Sequence, residues 1–273
     1  MTLLLIIIVI IVLIALFRFM SYSEPKGPAY VPPKTSGNKP FPEQTKIKEN
    51  QEYYDRMVLS SRYNFNDWLN IHPGDENIGE YGEFLTLKKI VACCKRYDGY
   101  YKILRNVYLQ TKNGTTEVDS ILLHETGIYV FESKNYSGWI FGNYQQKEWT
   151  QAINRYTKNH FYNPIWQNEG HIAALKTILG NDLKYFSFIV FSERCVLKDV
   201  PDDIPGRTIL RRHNLESLLF SAFSSNSTST SGESYFKIDQ IDELYAKLLP
   251  HSNVSEEEKA AHIQQIKNKQ IGD

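Results

Sequence analysis

The chain has 273 residues, with 31 basic and 31 acidic side chains and a formal net charge of zero. That length can bury a sizeable core in one large domain or two small ones. The neutral balance excludes binding to nucleic acid or membrane through bulk charge, so any basic surface must be local. The three cysteines, Cys93, Cys94 and Cys195, form neither a disulfide framework nor a zinc spacing, and read as small buried thiols in a reducing compartment.

Residues Leu3 to Phe17 are uninterruptedly apolar and are followed by Arg18-Phe19-Met20. With Arg18 snorkelling, this run approaches the roughly 20 residues of a spanning helix. A basic n-region and a small-residue cleavage site are both missing, so the segment reads as a single-pass anchor over residues 1–20 and not as a cleaved signal. The nearby positive charges, Arg18, Lys26, Lys34 and Lys39, all follow it. The expected location is therefore the cell membrane, with the remainder of the chain facing the cytosol. Residues 21–50 are rich in Pro, Gly, Ser and Lys and form a tether. A short supporting helix is predicted within 51–70.

The folded domain is expected over 51–250, with its core at about 74–195. Residues 79–96 read as a helix whose apolar stripe is Phe84, Leu87, Ile90, Val91 and Cys94. Three strands follow, at Tyr101–Leu109, Thr116–His124 and Ile128–Lys134. Lys112-Asn113-Gly114 is a hairpin signal between the first two, and a tight turn at Glu125-Thr126-Gly127 precedes the third. Such short turns imply an antiparallel meander. A second helix starts at Asn163, where Asn can cap and Pro164 suits the first turn, and it stops at Gly180. Phe186–Phe191 is a continuous apolar run expected of a buried strand. A short strand at Thr208–Leu210 and a helix at His213–Phe223 come next, then a low-complexity loop over 224–234. A charged helix is expected over 251–273, opening on a capping-box pattern at Ser255. The order is α-β-β-β-α-β, an α/β sandwich.

Within this order the polar residues fall in an unusual place. Glu132 and Lys134 are two apart and share one strand face with Val130, and the apolar run carries both charges to the sheet's edge. Asp119 lies on the neighbouring strand, close enough to approach Glu132. Two carboxylates brought together in an apolar sheet repel unless a cation joins them. Mg²⁺ or Mn²⁺ suits that role, since hard cations take carboxylate and carbonyl oxygens plus water. An ammonium beside them can hold a water or help deprotonate it. The set suits phosphodiester hydrolysis. The first helix can add Glu83 or Glu80; spacing alone does not choose between them. Gly79 and Gly82 would allow close approach there. Asn163, Gln167 and His171 are spaced by four and share a helix face. That polar stripe could line a substrate groove, with Gln167 contacting a phosphate or water, while Ile165, Trp166, Ile172, Leu175, Ile178 and Leu179 pack on the sheet.

The ordered segments Gly79-Glu80-x-Gly82-Glu83, Glu117-Val118-Asp119, Gly127 to Gly138 (GIYVFESKNYSG) and Asn163-Pro164-x-x-Gln167-Asn168-x-x-His171 resemble the nuclease-related domain (NERD) family. That family is similar to the PD-(D/E)xK nuclease superfamily. The resemblance implies a restriction-endonuclease-like core with a mixed sheet. It also implies Asp119 and Glu132 as metal ligands, Lys134 as the catalytic lysine and Glu83 as the helix carboxylate. Here Val118 stands where the superfamily commonly has proline. The expectation is a membrane-anchored, Mg²⁺-dependent hydrolase acting on DNA, less readily on RNA. The alternative is a non-catalytic nucleic-acid-binding or regulatory module that keeps the fold.

Overall fold

The computed structural model describes residues 77–264, apart from 98, 113, 202–203, 227–234, 253, 256, 258–259 and 263. The predicted anchor, tether, 51–70 helix and most of the 224–234 loop lie outside the described residues. Among those described, no helix is long and apolar enough to cross a membrane.

Helix α1 (Asn77–Arg96) buries the whole predicted stripe, Phe84, Leu87, Ile90, Val91 and Cys94, together with Thr86 and Cys93. Strands β1 (Tyr101–Thr111) and β2 (Gly114–His124) form the expected hairpin, with Thr111 opposite Gly114. Strand β3 (Gly127–Lys134) returns antiparallel to β2 after a two-residue turn, with His124 opposite Gly127. After helix α2 (Pro164–Leu179), strand β7 (Tyr185–Phe191) pairs parallel to β3, and β9 (Arg207–Arg211) pairs parallel to β7. The five-stranded sheet therefore runs β1-β2-β3-β7-β9 and is mixed. The fold is α/β, and the predicted α-β-β-β-α-β order stands within it.

Position in this sheet corrects one expectation. β3 is the central strand, so Glu132 and Lys134 lie at the end of a middle strand and not on a sheet edge. A central strand is covered on both faces, which explains the six consecutive buried residues from Gly127 to Glu132.

Both faces of this sheet carry helices. On one side α1 and α3 (Leu215–Asn226) pack over Leu122, Tyr129, Phe131, Phe188 and Val190. On the other, α2 and α4 (Ile238–Ser252) pack over Leu104, Ile121, Leu123, Ile128 and Val130. All three cysteines are buried and free, as expected.

A second sheet is absent from the sequence reading. Strands β4 (Gly138–Phe141), β5 (Glu148–Ala152) and β6 (Lys158–Tyr162) lie between β3 and α2, and β8 (Cys195–Asp199) completes the order β6-β5-β4-β8. Its inner face sets Ile140, Trp149 and Cys195 against Ile165, Ile189 and Phe191. These strands are four or five residues long, and β5, β6 and β8 mix polar with apolar residues, so no periodicity announces them.

Candidate metal-dependent hydrolytic site

The hairpin β1–β2 places Asp119 by breaking its own alternation. Leu104 and Val107 lie in one core cluster, as do Val118 and Ile121, although residues three apart on a regular strand face opposite sides. The switch occurs at Asn106, whose φ of 48° is left-handed, a region that Asn tolerates. The ladder passes there from Arg105 opposite Ser120 to Val107 opposite Val118. The Asn106 side chain donates to Glu117 Oε1 at 2.9 Å. Asp119 sits where β2 parts from β3, beyond the last paired residues Ser120 and Phe131. Its Oδ2 accepts the Ser133 backbone N–H at 2.7 Å.

Glu132 is buried and points with Val130 toward α2. Its Oε1 accepts from Lys134 Nζ at 2.6 Å, and its Oε2 lies 3.5 Å from His171 Nδ1. Lys134 Nζ also donates to Gln167 Oε1 at 3.0 Å. The sequence-predicted Glu132, Lys134 and Gln167 are thus joined in one chain of contacts. The helix stripe is not the exposed groove face expected. Asn163 and His171 are buried, and Gln167 faces β3. Asn163 is the cap, accepting from the Ile165 N–H at 2.9 Å, while its amide donates to carbonyls of the 143–146 loop.

Of the two candidates on α1, the structure separates Glu83, half-buried, from Glu80, exposed. Burial raises the Glu83 pKa to about 7; Arg105 opposes this, and the carboxylates of Glu117 and Glu132 add to it. The expected close approach holds at Gly82 alone. A Cβ there would lie 2.5 Å from Asn135 Cβ, whereas one at Gly79 would meet nothing. Asn135 in turn donates from its side chain to the Ile78 carbonyl. The start of α1 is thereby seated on the residue that follows Lys134.

The electrostatics mark one acidic centre. Burial, then Glu132, then Glu83 hold the Asp119 carboxyl well above the usual carboxylate range, against the Ser133 amide and Lys134. Burial disfavours the Lys134 ammonium, but Glu132, Tyr136 and Asp119 outweigh it and raise its pKa. Burial lowers His171, which Glu132 only partly opposes, so the contact between His171 and Glu132 is not an ion pair at neutral pH. Glu132 Oε2 and His171 Nδ1 are both buried without a hydrogen-bond partner.

A divalent cation fits this donor set. It would relieve the repulsion between the two carboxylates and occupy the unpartnered Glu132 oxygen. Among the described residues no three His, Cys, Asp or Glu side chains cluster as metal ligands. Asp119 and Glu132 would be the residues to hold it, a number of ligands that suits Mg²⁺, which keeps waters and takes substrate phosphates.

Beside this centre runs a cleft of about 810 Å³ between the β1–β2 hairpin tip and α2. Gln110, Thr115 and Thr116 line one wall and Tyr162, Trp166 and Gln167 the other; Lys112 is the charged residue in its lining. Gln167 belongs to both cleft and centre.

The sequence profile of the nuclease-related domain matches residues 78–192. An uncharacterized protein of Bacillus anthracis is 31% identical over 174 residues, covering 62% of this chain and 76% of that protein. The chain belongs to the nuclease-related domain family. No solved structure matches it.

Three further side chains neighbour the NERD site, of which only His262 was absent from the sequence reading. Asn168 is buried and donates to the Val130 carbonyl at 3.0 Å and to Ser187 Oγ at 2.8 Å, tying α2 across the parallel β3–β7 pair. His171, read as part of the stripe and of the family motif, lies against Glu132, with its Nδ1 3.5 Å from Oε2. His262, from the C-terminal segment, is buried with its ring 5.5 Å from that of Tyr108 and Nε2 4.0 Å from Glu117. The first two carried a signal, being polar residues on a helix at core spacing. His262 carried none.

Proposed function

We infer that this NERD protein is a metal-dependent nuclease that hydrolyses phosphodiester bonds, in DNA before RNA, held at the cell membrane by its N-terminal apolar segment with the domain in the cytosol. The observation that carries this reading is the half-buried Asp119 beside the buried Glu132, with Lys134 clamped to Glu132. Nothing structural is gained by bringing two like charges together with one of them buried, so the arrangement argues for a ligand.

Bound between Asp119 and Glu132, Mg²⁺ or Mn²⁺ would supply positive charge to phosphate oxygens and to the attacking water. Lys134 is oriented by Glu132 Oε1 and Gln167 Oε1, which leaves one of its three ammonium hydrogens for a phosphate oxygen or a water. An ammonium held between a carboxylate and a carboxamide oxygen is a donor and a charge, not a base. Glu83 can accept a proton from water, directly or through a second water. Gln167 links the Lys134 ammonium to the cleft, where Lys112 provides a cation for the nucleic-acid backbone.

The test is an assay of the full chain in mild detergent with supercoiled DNA, linear DNA, single strands and RNA. Cleavage should require Mg²⁺ or Mn²⁺ and fall by about a thousandfold in Lys134→Ala and Glu132→Ala. Cleavage that persists in EDTA or in both variants would sink the assignment. Metal-independent binding with no cleavage of any substrate would favour the non-catalytic module.

A further inference from the structure

The second sheet has a face that no described residue covers. Trp139 and Phe141 on β4 are 49% and 36% exposed, Val196 on β8 is 42% exposed and Tyr162 on β6 is 47% exposed. The register puts them on one side. Trp139 lies opposite Val196 on β8, Phe141 opposite Thr150 and Thr150 opposite His160. Tyr162, two residues beyond His160, points the same way. Ile140 and Trp149 point inward to the core.

Cations flank these rings. Lys198 Nζ sits 5.7 Å from the centre of the Trp139 ring, and Lys158 is exposed at the start of β6. Glu148 and Asp199, both exposed, stand opposite Tyr162 and Phe141 in the register. The face is therefore a row of aromatic rings that carries two ammonium groups and two carboxylates, with the lysines gathered toward Trp139 and the acids opposite Phe141 and Tyr162.

The geometry points to a platform for single-stranded nucleic acid, with bases stacked on Trp139, Phe141 and Tyr162 and phosphates near Lys158 and Lys198. Flat rings bind bases whatever their sequence, because every base has a π face, and lysines supply the phosphate attraction. Trp139 and Phe141 are about 7 Å apart along the strand, wider than the roughly 3.4 Å between stacked bases of a duplex strand. Stacking on both thus selects an extended, unpaired strand. Tyr162 also lines the cleft whose far wall is the β1–β2 hairpin. A strand lying across the sheet therefore leads through Tyr162 to Gln167 and Lys134. This inference rests on the nuclease reading and narrows its substrate to nucleic acid with an unpaired segment.

The experiment uses the full chain in detergent with EDTA present, and measures fluorescence anisotropy with a labelled 20-mer of oligothymidylate, the same length of oligouridylate, a 20-base-pair duplex, and anionic vesicles. Both single strands should bind and quench tryptophan fluorescence. The double variant Trp139→Ala/Phe141→Ala should weaken both by at least roughly tenfold while changing duplex binding little. Trp139→Phe should keep the affinity and lose most of the quenching. A double variant that binds single strands like wild type, or a wild type that binds none, overturns the platform. So does a double variant that loses only vesicle binding, which would make this a membrane face. The two readings separate cleanly. Glu132→Gln should abolish cleavage in Mg²⁺ yet bind single strands normally. If wild type binds through Trp139 but cuts nothing, the nuclease reading falls and the platform stands. If it cuts and Trp139 has no influence, the platform alone falls.

Discussion

The two sheets differ in how many of their faces are packed. The five-stranded sheet has helices on both sides, and its central strand is buried from Gly127 to Glu132. The four-stranded sheet is packed on one side only and shows Trp139, Phe141 and Tyr162 to solvent on the other. The contrast teaches what each can be used for. Holding charged groups at fixed positions, away from water, needs packing all around them; without it Lys134 would trade Glu132 for solvent. Accepting a ligand across a broad area needs an open face. The same chain provides both, one at a strand end and one on a strand face, with Tyr162 and the cleft lying between.

The sharpest way to break this comparison uses two tryptophans of the second sheet that face opposite ways. Trp149 is fully buried, stacked parallel to Phe191 with ring centres 6.2 Å apart, and its indole N–H donates to the Asn143 carbonyl at 3.0 Å. Trp149→Ala should cost about 3–5 kcal/mol of stability by chemical denaturation. Trp139→Ala should cost less than about 1 kcal/mol, mostly the Lys198 contact. Similar costs would mean that the outer face is packed after all.

The next largest effect belongs to the covered side of the first sheet. His124 is fully buried, stacked on Phe223 at 3.9 Å, with Nδ1 accepting the Thr126 N–H at 3.2 Å. Burial lowers its pKa to about 4 from an ordinary 6.5. Above pH 6.5 the ring is neutral in both folded and unfolded chains. As pH falls below 6.5 only the unfolded chain takes up the proton, so stability drops until pH passes 4, by about 3 kcal/mol in all. His124→Phe should remove that component from the pH dependence of unfolding. An unchanged slope between pH 6.5 and 4 would show that His124 is not held neutral.

A smaller effect tests the link between helix and site. Asn168→Ala should cost about 2 kcal/mol, because it removes a buried amide bridging β3 and β7. It should also lower cleavage, since α2 carries Gln167 and His171. Stability lost without any change in cleavage would separate the site from its support.

Much of the first sheet was legible in the sequence. The α1 stripe, the hairpin turns and the Asn163-Pro164 start are local signals, set by 3.6-residue periodicity, turn chemistry and capping, and each reappears in place. Glu132 and Lys134 were readable as a same-face pair because a strand fixes that relation without knowing its neighbours. The second sheet was not legible. Strands as short as Gly138–Phe141 gain their stability from cross-strand partners and from Phe191 and Ile165, all far away in sequence. The stripe on α2 was legible as a stripe but not in its direction. A polar face normally seeks water, and here Asn163 is buried as the helix cap with its amide on the 143–146 carbonyls, Gln167 meets Lys134 and His171 lies buried against Glu132.

By itself, then, the sequence determined the α-β-β-β-α-β order and the residue types brought near one another, since helix and strand periods and short turns act over a few residues. Tertiary structure alone decided that β3 is central, that Asn106 turns the hairpin and Asp119 sits where β2 parts from β3, and that Glu83 rather than Glu80 faces the carboxylates. It alone decided, too, that an aromatic sheet stands open beside the cleft. Those outcomes depend on which distant surfaces exclude water together, and no local pattern encodes that.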